Sequence, residues 1–221
     1  MKEKTISHKN KFEKESKGFT LTEMLIVIFL ILVLVGIFSQ AFKVSNYFKK
    51  ARDIKRISDL KALEMAISIY LKSTSSPSLG PTNKAVDEAS STIFISVPFD
   101  LEDVRSNTLL WQSKTYYFSQ VSSTENFKNN GNGWIPINFA SLIFPSIYSL
   151  PADPTNSYNK KLFYSYVFKR SSSTFELNAN LEFEDFKQNG KEDKTSNDEG
   201  DNTLIYEIGT DLYIMPNNLY L

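Results

Sequence analysis

Cysteine is absent from the 221-residue chain, and histidine occurs once, at His8. Beyond that residue no imidazole stands ready to activate a hydroxyl, and no thiol exists anywhere, so nucleophilic catalysis of the Ser-His or Cys-His kind is excluded. The missing cysteines also remove the commonest staple of small exported domains. Surplus charge of either sign is lacking too, since 25 Lys and Arg balance 25 Asp and Glu. That balance gives no reason to expect a nucleic-acid or acidic-substrate partner. Neither a Gly-rich phosphate loop nor a Gly-x-Ser-x-Gly elbow occurs. Acid-base chemistry is left with carboxylates alone, at Glu182, Glu184 and Asp185 or at Asp198, Glu199 and Asp201, both in polar stretches where such clusters are ordinarily just solvated. The chain reads as a non-enzyme.

Against these absences stands one long apolar run. From Met24 to Phe38 every residue is apolar or Gly. Phe19 and Leu21 on one side, and Ala41, Phe42 and Val44 on the other, lengthen it to about 20 to 25 residues, enough to cross a bilayer as one helix. The preceding Met1 to Lys17 carries six Lys against three Glu, a bias that keeps the amino terminus in the cytoplasm and sends the rest outward. Between leader and run lies Gly18-Phe19-Thr20-Leu21-Thr22-Glu23. Glu23 is the only charge inside the span, and a lone carboxylate at that depth costs roughly 2.5 kcal/mol or more, so it asks for a functional partner. An ordinary anchor with its acid at the interface, or an ordinary secretory signal, accounts for less of this pattern. The latter would place its cut after the apolar core, and the run is too long for it.

No proline interrupts Phe19 to Lys72, so the helix is expected to continue, reaching on the order of 80 Å at about 1.5 Å per residue. Ala51, Ile54, Ile57, Leu60, Leu63, Ile67 and Tyr70 recur at steps of three and four as one apolar stripe, with Arg52, Asp53, Lys55, Arg56, Asp59, Lys61 and Glu64 mostly on the other face. The run Ser73 to Asn83, rich in Ser, Pro and Gly, ends it. Thr92 to Val97 and Thr115 to Val121 read as strands, Asn129 to Gly133 as a turn, and Trp134 to Leu150 as a packed irregular segment with one short helix. Beyond the rigid Leu150-Pro151-Ala152-Asp153-Pro154 turn, Leu162 to Phe168 and Phe175 to Leu181 alternate as strands joined at Arg170 to Ser173, Glu176 and Asn178 facing outward. A polar loop from Glu184 to Asn202 precedes one or two short strands, Thr203 to Ile208 and Leu212 to Met215. The product is an α+β fold: a long helix whose amphipathic half covers the one apolar face of a small antiparallel sheet.

Gly18-Phe19 followed by Thr-Leu-Thr-Glu23 and a spanning Leu/Ile/Val helix resembles the class III signal of type IV prepilins and of the pseudopilins of type II secretion. The later layout, Leu-Pro-x-Asp-Pro, then Tyr-x-Tyr, then a Phe-x-Leu-x-Ala-x-Leu-Glu strand, is similar to pilins related to the major pseudopilin. The resemblance implies a leader, 1–18, removed by prepilin peptidase between Gly18 and Phe19, with methylation of the new Phe19 amine. It implies a transmembrane and polymerisation half of the helix, 19–48, and an extracytoplasmic pilin domain, 49–221. The partners implied are further copies of the chain in a helical filament, the peptidase and an inner-membrane assembly platform, and Phe19 and Glu23 are the assembly residues. The function implied is a structural subunit of a type IV pilus, serving attachment, motility or DNA uptake; the alternatives are a pseudopilin of a secretion or competence machine and an anchored binding module that never polymerises. No cofactor is expected. Ca²⁺ is the one candidate, since major pseudopilins bind it in a loop comparable to the one holding Asp198, Glu199 and Asp201, although the Gly-rich signature of that loop is absent here.

Overall fold

A computed structural model describes residues 18–80, 92–98, 108–111, 114–119, 125–170 and 172–215. The leader, Met1 to Lys17, and the end of the second expected strand, Gln120 and Val121, lie outside the described residues. The chain divides into two units, Met1–Ser45 and Asn46–Leu221.

The long helix, α1, occupies Leu21–Ser73. In the first unit its residues from Leu21 to Phe38 are all exposed, an 18-residue stretch long and apolar enough to cross a membrane. In the second unit the helix buries Leu60, Leu63, Ala66, Ile67 and Tyr70 in the main core, spaced at steps of three, three, one and three along one face. Each large aliphatic side chain withdrawn from water there is worth about 1.5 to 3 kcal/mol. The expected stripe therefore holds from Leu60 onward, while its first turns are differently phased. Ala51 and Ile54 face solvent, and Asp53 and Arg56 are the buried pair instead. Polar groups occupy the buried face there because that part of α1 lies against the turn holding Asp153 and the segment at Glu182.

Six strands form one sheet: β1 (Thr92–Ser96), β2 (Thr108–Trp111), β3 (Lys114–Ser119), β4 (Tyr164–Lys169), β5 (Thr174–Ala179) and β6 (Tyr206–Gly209), in the order β2-β3-β1-β4-β5-β6. The expected hairpin is β4-β5, registered as Tyr166↔Leu177 and Phe168↔Phe175. Tyr164, Tyr166, Phe168, Phe175, Leu177 and Ala179 join the helix stripe in the main core. The sheet is mixed rather than wholly antiparallel, because β1 and β3 run parallel, Thr92 opposite Thr115. The chain reverses from β1 to β2 and again from β2 to β3, and the β2-β3 hairpin joins the sheet through β3, which therefore runs with β1. The short β2 had no alternation to announce it.

The second face of the sheet is also covered, which corrects the expectation of a single apolar face. Ile93, Ile95, Val97, Tyr116, Phe163, Val167, Ile205, Ile214 and Met215 form a smaller core there. Glu176 and Asn178, expected to face water, are fully buried in it. The stretch Leu212 to Met215 is no strand but a cover segment, whose Ile214 and Met215 backbone N–H groups each donate to Glu176 Oε2 at 3.1 Å. The segment from Trp134 to Leu150 is irregular with one 3₁₀ turn, Phe139–Ser141, as expected. It lays Trp134, Ile135, Ile137, Phe139 and Leu150 into the main core, with the indole N–H donating to Pro151 O at 3.0 Å.

Candidate functional site

At the amino-terminal end of α1, Thr20 caps the helix. Its Oγ1 accepts from the Glu23 backbone N–H at 3.2 Å, while Glu23 Oε2 accepts from the Thr20 backbone N–H and from Thr20 Oγ1, both at 2.8 Å. This reciprocal arrangement is a capping box, which satisfies donors that the first helical turn cannot pair internally. The acid whose burial asked for a partner thus has one in its own chain, three residues away, and it sits where the helix dipole favours negative charge. The sequence signal for this nearer partner is the Thr20-x-x-Glu23 spacing itself. Phe19 is exposed beside it. Gly18 is exposed as well, and a Cβ added there would meet nothing within 4 Å. The fold among the described residues therefore makes no demand for glycine at position 18.

A second charged constellation roots α1 in the globular unit. Arg56, 0 % exposed, donates through Nε to Asp153 Oδ2 at 2.6 Å, through Nη1 to Asp53 Oδ1 at 2.6 Å and to Glu182 Oε1 at 2.7 Å, and through Nη2 to Asp153 Oδ1 at 2.9 Å. Arg52 adds a two-point contact with Glu182, at 2.8 and 2.7 Å. Asp53 in turn accepts the backbone N–H groups of Glu182 and Phe183. The Arg52 contact, reinforced by Arg56 against the opposing effect of burial, holds the Glu182 carboxyl down at about 2. Planar guanidinium groups suit such forked contacts. No sequence signal announced this clamp, because its partners lie about a hundred residues apart along the chain.

The acidic loop places its members apart. Asp198 is half-buried and works as a backbone staple, accepting the N–H of Gly200 at 3.1 Å and of Glu207 at 2.8 Å. Glu199 is exposed with a left-handed φ of 72°, and Asp201 is exposed. Behind the loop, Glu207 and Glu176 are buried diagonal neighbours on one face of β5 and β6, since Glu176 lies opposite Gly209 and Asn178 opposite Glu207. Burial pushes both carboxyls well above their ordinary range, and for Glu207 the neighbouring Glu176 adds to the push. A Cβ at Gly200 would stand 1.9 Å from Glu207 Oε2, so any side chain there would have to displace that carboxylate. Among the described residues no three His, Cys, Asp or Glu side chains are grouped so as to hold a metal ion.

Residues 14–39 match the family model described as the prokaryotic N-terminal methylation motif. No curated protein matches the chain. No solved structure matches it either. The match covers Gly18, Phe19, the capping box and the span. The amino-terminal segment is thus a class III signal of the type IV pilin and pseudopilin kind, running into a helix long and apolar enough to cross a membrane.

Proposed function

We propose that the chain is a structural subunit of a type IV pilus or pilus-like filament. Prepilin peptidase cuts it between Gly18 and Phe19, the Phe19 amine is methylated, and copies polymerise through the first half of α1 while the unit beyond it lies outside the cytoplasm. The observation that carries this reading is the junction itself: a glycine that the fold does not need, followed by a capped helix that, Thr22 and Glu23 apart, is apolar and exposed from Leu21 to Phe38. Among the described residues nothing buries this surface. It is suited first to lipid and then to other copies, and the charged leader must leave before the helix is drawn from the bilayer.

The amino-terminal mass of the mature protein tests the cut, and the expected species begins at methylated Phe19. Gly18→Val should accumulate a heavier, membrane-held precursor with an unchanged thermal midpoint, since nothing within 4 Å opposes a side chain there. Mature protein beginning at Met1 would overturn the reading. Chemically, the new cationic amine lies one residue from Thr20 and its bound Glu23, so in a stack of anchors the carboxylate and a neighbouring copy's ammonium attract strongly in the low-dielectric interior. Desolvation consumes much of that gain, and the pair selects register more than it adds stability.

A further inference from the structure

The second core holds two acids at the β5-β6 end of the sheet, Glu176 and Glu207, 0 and 1 % exposed and diagonal neighbours on one face. One oxygen of each is committed to the backbone. Glu176 Oε2 accepts the N–H groups of Ile214 and Met215, both at 3.1 Å, and Glu207 Oε2 accepts that of Asn202 at 3.0 Å. With both acids ionised, the other oxygen of each, Oε1, is buried without a hydrogen bond. Bare buried acceptors are costly, and like charges sharing a dry site oppose each other's ionisation. A single proton removes both faults, because it makes one Oε1 a donor to the other. Glu207 and Asn178 are the side chains within bonding reach of Glu176. The groups facing the pair do not neutralise it. The loop before β6 brings the acids Asp198 and Asp201, and β3 brings the Tyr116 phenol, kept neutral by burial and then by Glu176 and Asp201. From β4 come Ser165, Val167 and Lys169, with Val167 opposite Glu176, and Lys169 makes no ion pair among the described residues. The remaining cover is the apolar Ile93, Ile95, Ile214 and Met215, with Asp211 turned to Thr174 Oγ1.

We propose that Glu176 and Glu207 hold one shared proton between their Oε1 atoms, and that this proton latches β6 and the cover segment Leu212 to Met215 onto the sheet. The inference is independent of the filament reading. Glu176 carries the cover on its Oε2, while Glu207 carries the loop at Asn202 and, through its own N–H, Asp198. When the proton passes to solvent, both groups become carboxylates and push β6 away from β5. β6 is a four-residue edge strand with a strand neighbour on one side only, so it yields before β4 or β5 does. The opening bares Ile205, Ile214 and Met215 of the second core and leaves the β4-β5 hairpin under the helix stripe in place.

The test compares the purified full chain in detergent with Glu176→Gln and Glu207→Gln. Each amide keeps an oxygen for the backbone N–H groups and puts an N–H where the shared proton lay. At neutral pH the infrared carbonyl band of a protonated carboxyl is expected in the parent chain and in neither variant, because one proton serves both acids. A band that survives in either variant would reveal two separately protonated acids, and its absence from the parent chain would mean that no proton is held; each result overturns the inference. Hydrogen exchange read by mass spectrometry, corrected for the intrinsic effect of pH, then locates the latch. Peptides spanning 203–215 should lose protection about tenfold between about pH 6 and about pH 9 while those of β4 keep theirs. Either variant should hold 203–215 closed over that range. Equal loss in β4, or a folded variant that opens with pH as the parent does, would overturn the latch. Should one variant fail to fold, the other and the parent chain decide by the same two readings.

Discussion

Two charged residues, Glu23 and Arg56, are held by hydrogen bonds that a simple deletion would confound. Glu23→Ala removes the capping box as well as the charge, a loss of about 1 kcal/mol of helix stability at Thr20. Glu23→Gln separates the two effects, because its amide oxygen still accepts from Thr20 while the negative charge is gone. Filament counts by electron microscopy are expected to fall sharply for both variants, with membrane insertion and the cut at Gly18 preserved; normal counts for Glu23→Gln would show that the cap, not the charge, matters. Arg56 is the other such residue. Arg56→Ala leaves Asp53 and Asp153 buried without their cation, an arrangement that costs about 3 to 5 kcal/mol out of a typical total of about 5 to 15, so chemical denaturation should show a stability loss of that order. Glu182 gives the clamp its acid dependence. Its folded value is depressed to about 2, chiefly by Arg52, so its contribution is present above the ordinary carboxyl range and is lost as pH falls through about 2.

At the scale of elements, β5 and β6 bring opposite behaviour. Glu176 and Glu207 are displaced upward by burial, so folding retains protons that the unfolded chain would release. The stability they contribute is full at and below the ordinary carboxyl range and is lost as pH rises through their raised values. Thermal midpoints should therefore fall between about pH 5 and pH 9. Glu207→Gln, which keeps an acceptor for the Asn202 N–H now bound at 3.0 Å, should flatten that slope, and an unchanged slope would remove the pair as its source. The same scans with Ca²⁺ and with chelator are expected to coincide, because the Asp198 carboxylate already serves two backbone N–H groups. The loop after α1 closes through aromatic hydroxyls: Tyr70 accepts the Ser78 N–H at 3.2 Å, and Tyr166 donates to Leu79 O at 2.7 Å. These bonds tie the helix end to β4.

For the whole molecule, the division at Ser45 and Asn46 puts the clamp, both cores and the sheet in one unit. A fragment beginning at Lys49 should accordingly be a soluble, folded monomer, lacking the anchors that concentrate copies. Leu63→Asp in that fragment places an unpaired charge at a fully buried position of the main core, at a cost of several kcal/mol. Circular dichroism and gel filtration are expected to show an unfolded or aggregated chain. A folded, monomeric variant would mean that this face does not cover the sheet.

The sequence by itself determined what depends on near neighbours: the span after Glu23, the Thr20-x-x-Glu23 cap, the end of α1 at the Ser/Pro/Gly run, the β4-β5 hairpin and the buried phase of α1 from Leu60 to Tyr70. Each is governed by spacing within a few residues, which a linear pattern records. Only the tertiary structure decided that Arg56 and Asp53 lie inside while Ala51 and Ile54 lie outside, since the clamp reaches Asp153 and Glu182, about a hundred residues away in the chain. It alone set β3 parallel to β1, and it alone turned Glu176 from an outward strand residue into a buried one, because the cover from Leu212 to Met215 folds over that face of the sheet. A period of two or of 3.6 tells which residues share a face; what arrives to cover that face is set by long-range contacts that no local pattern contains.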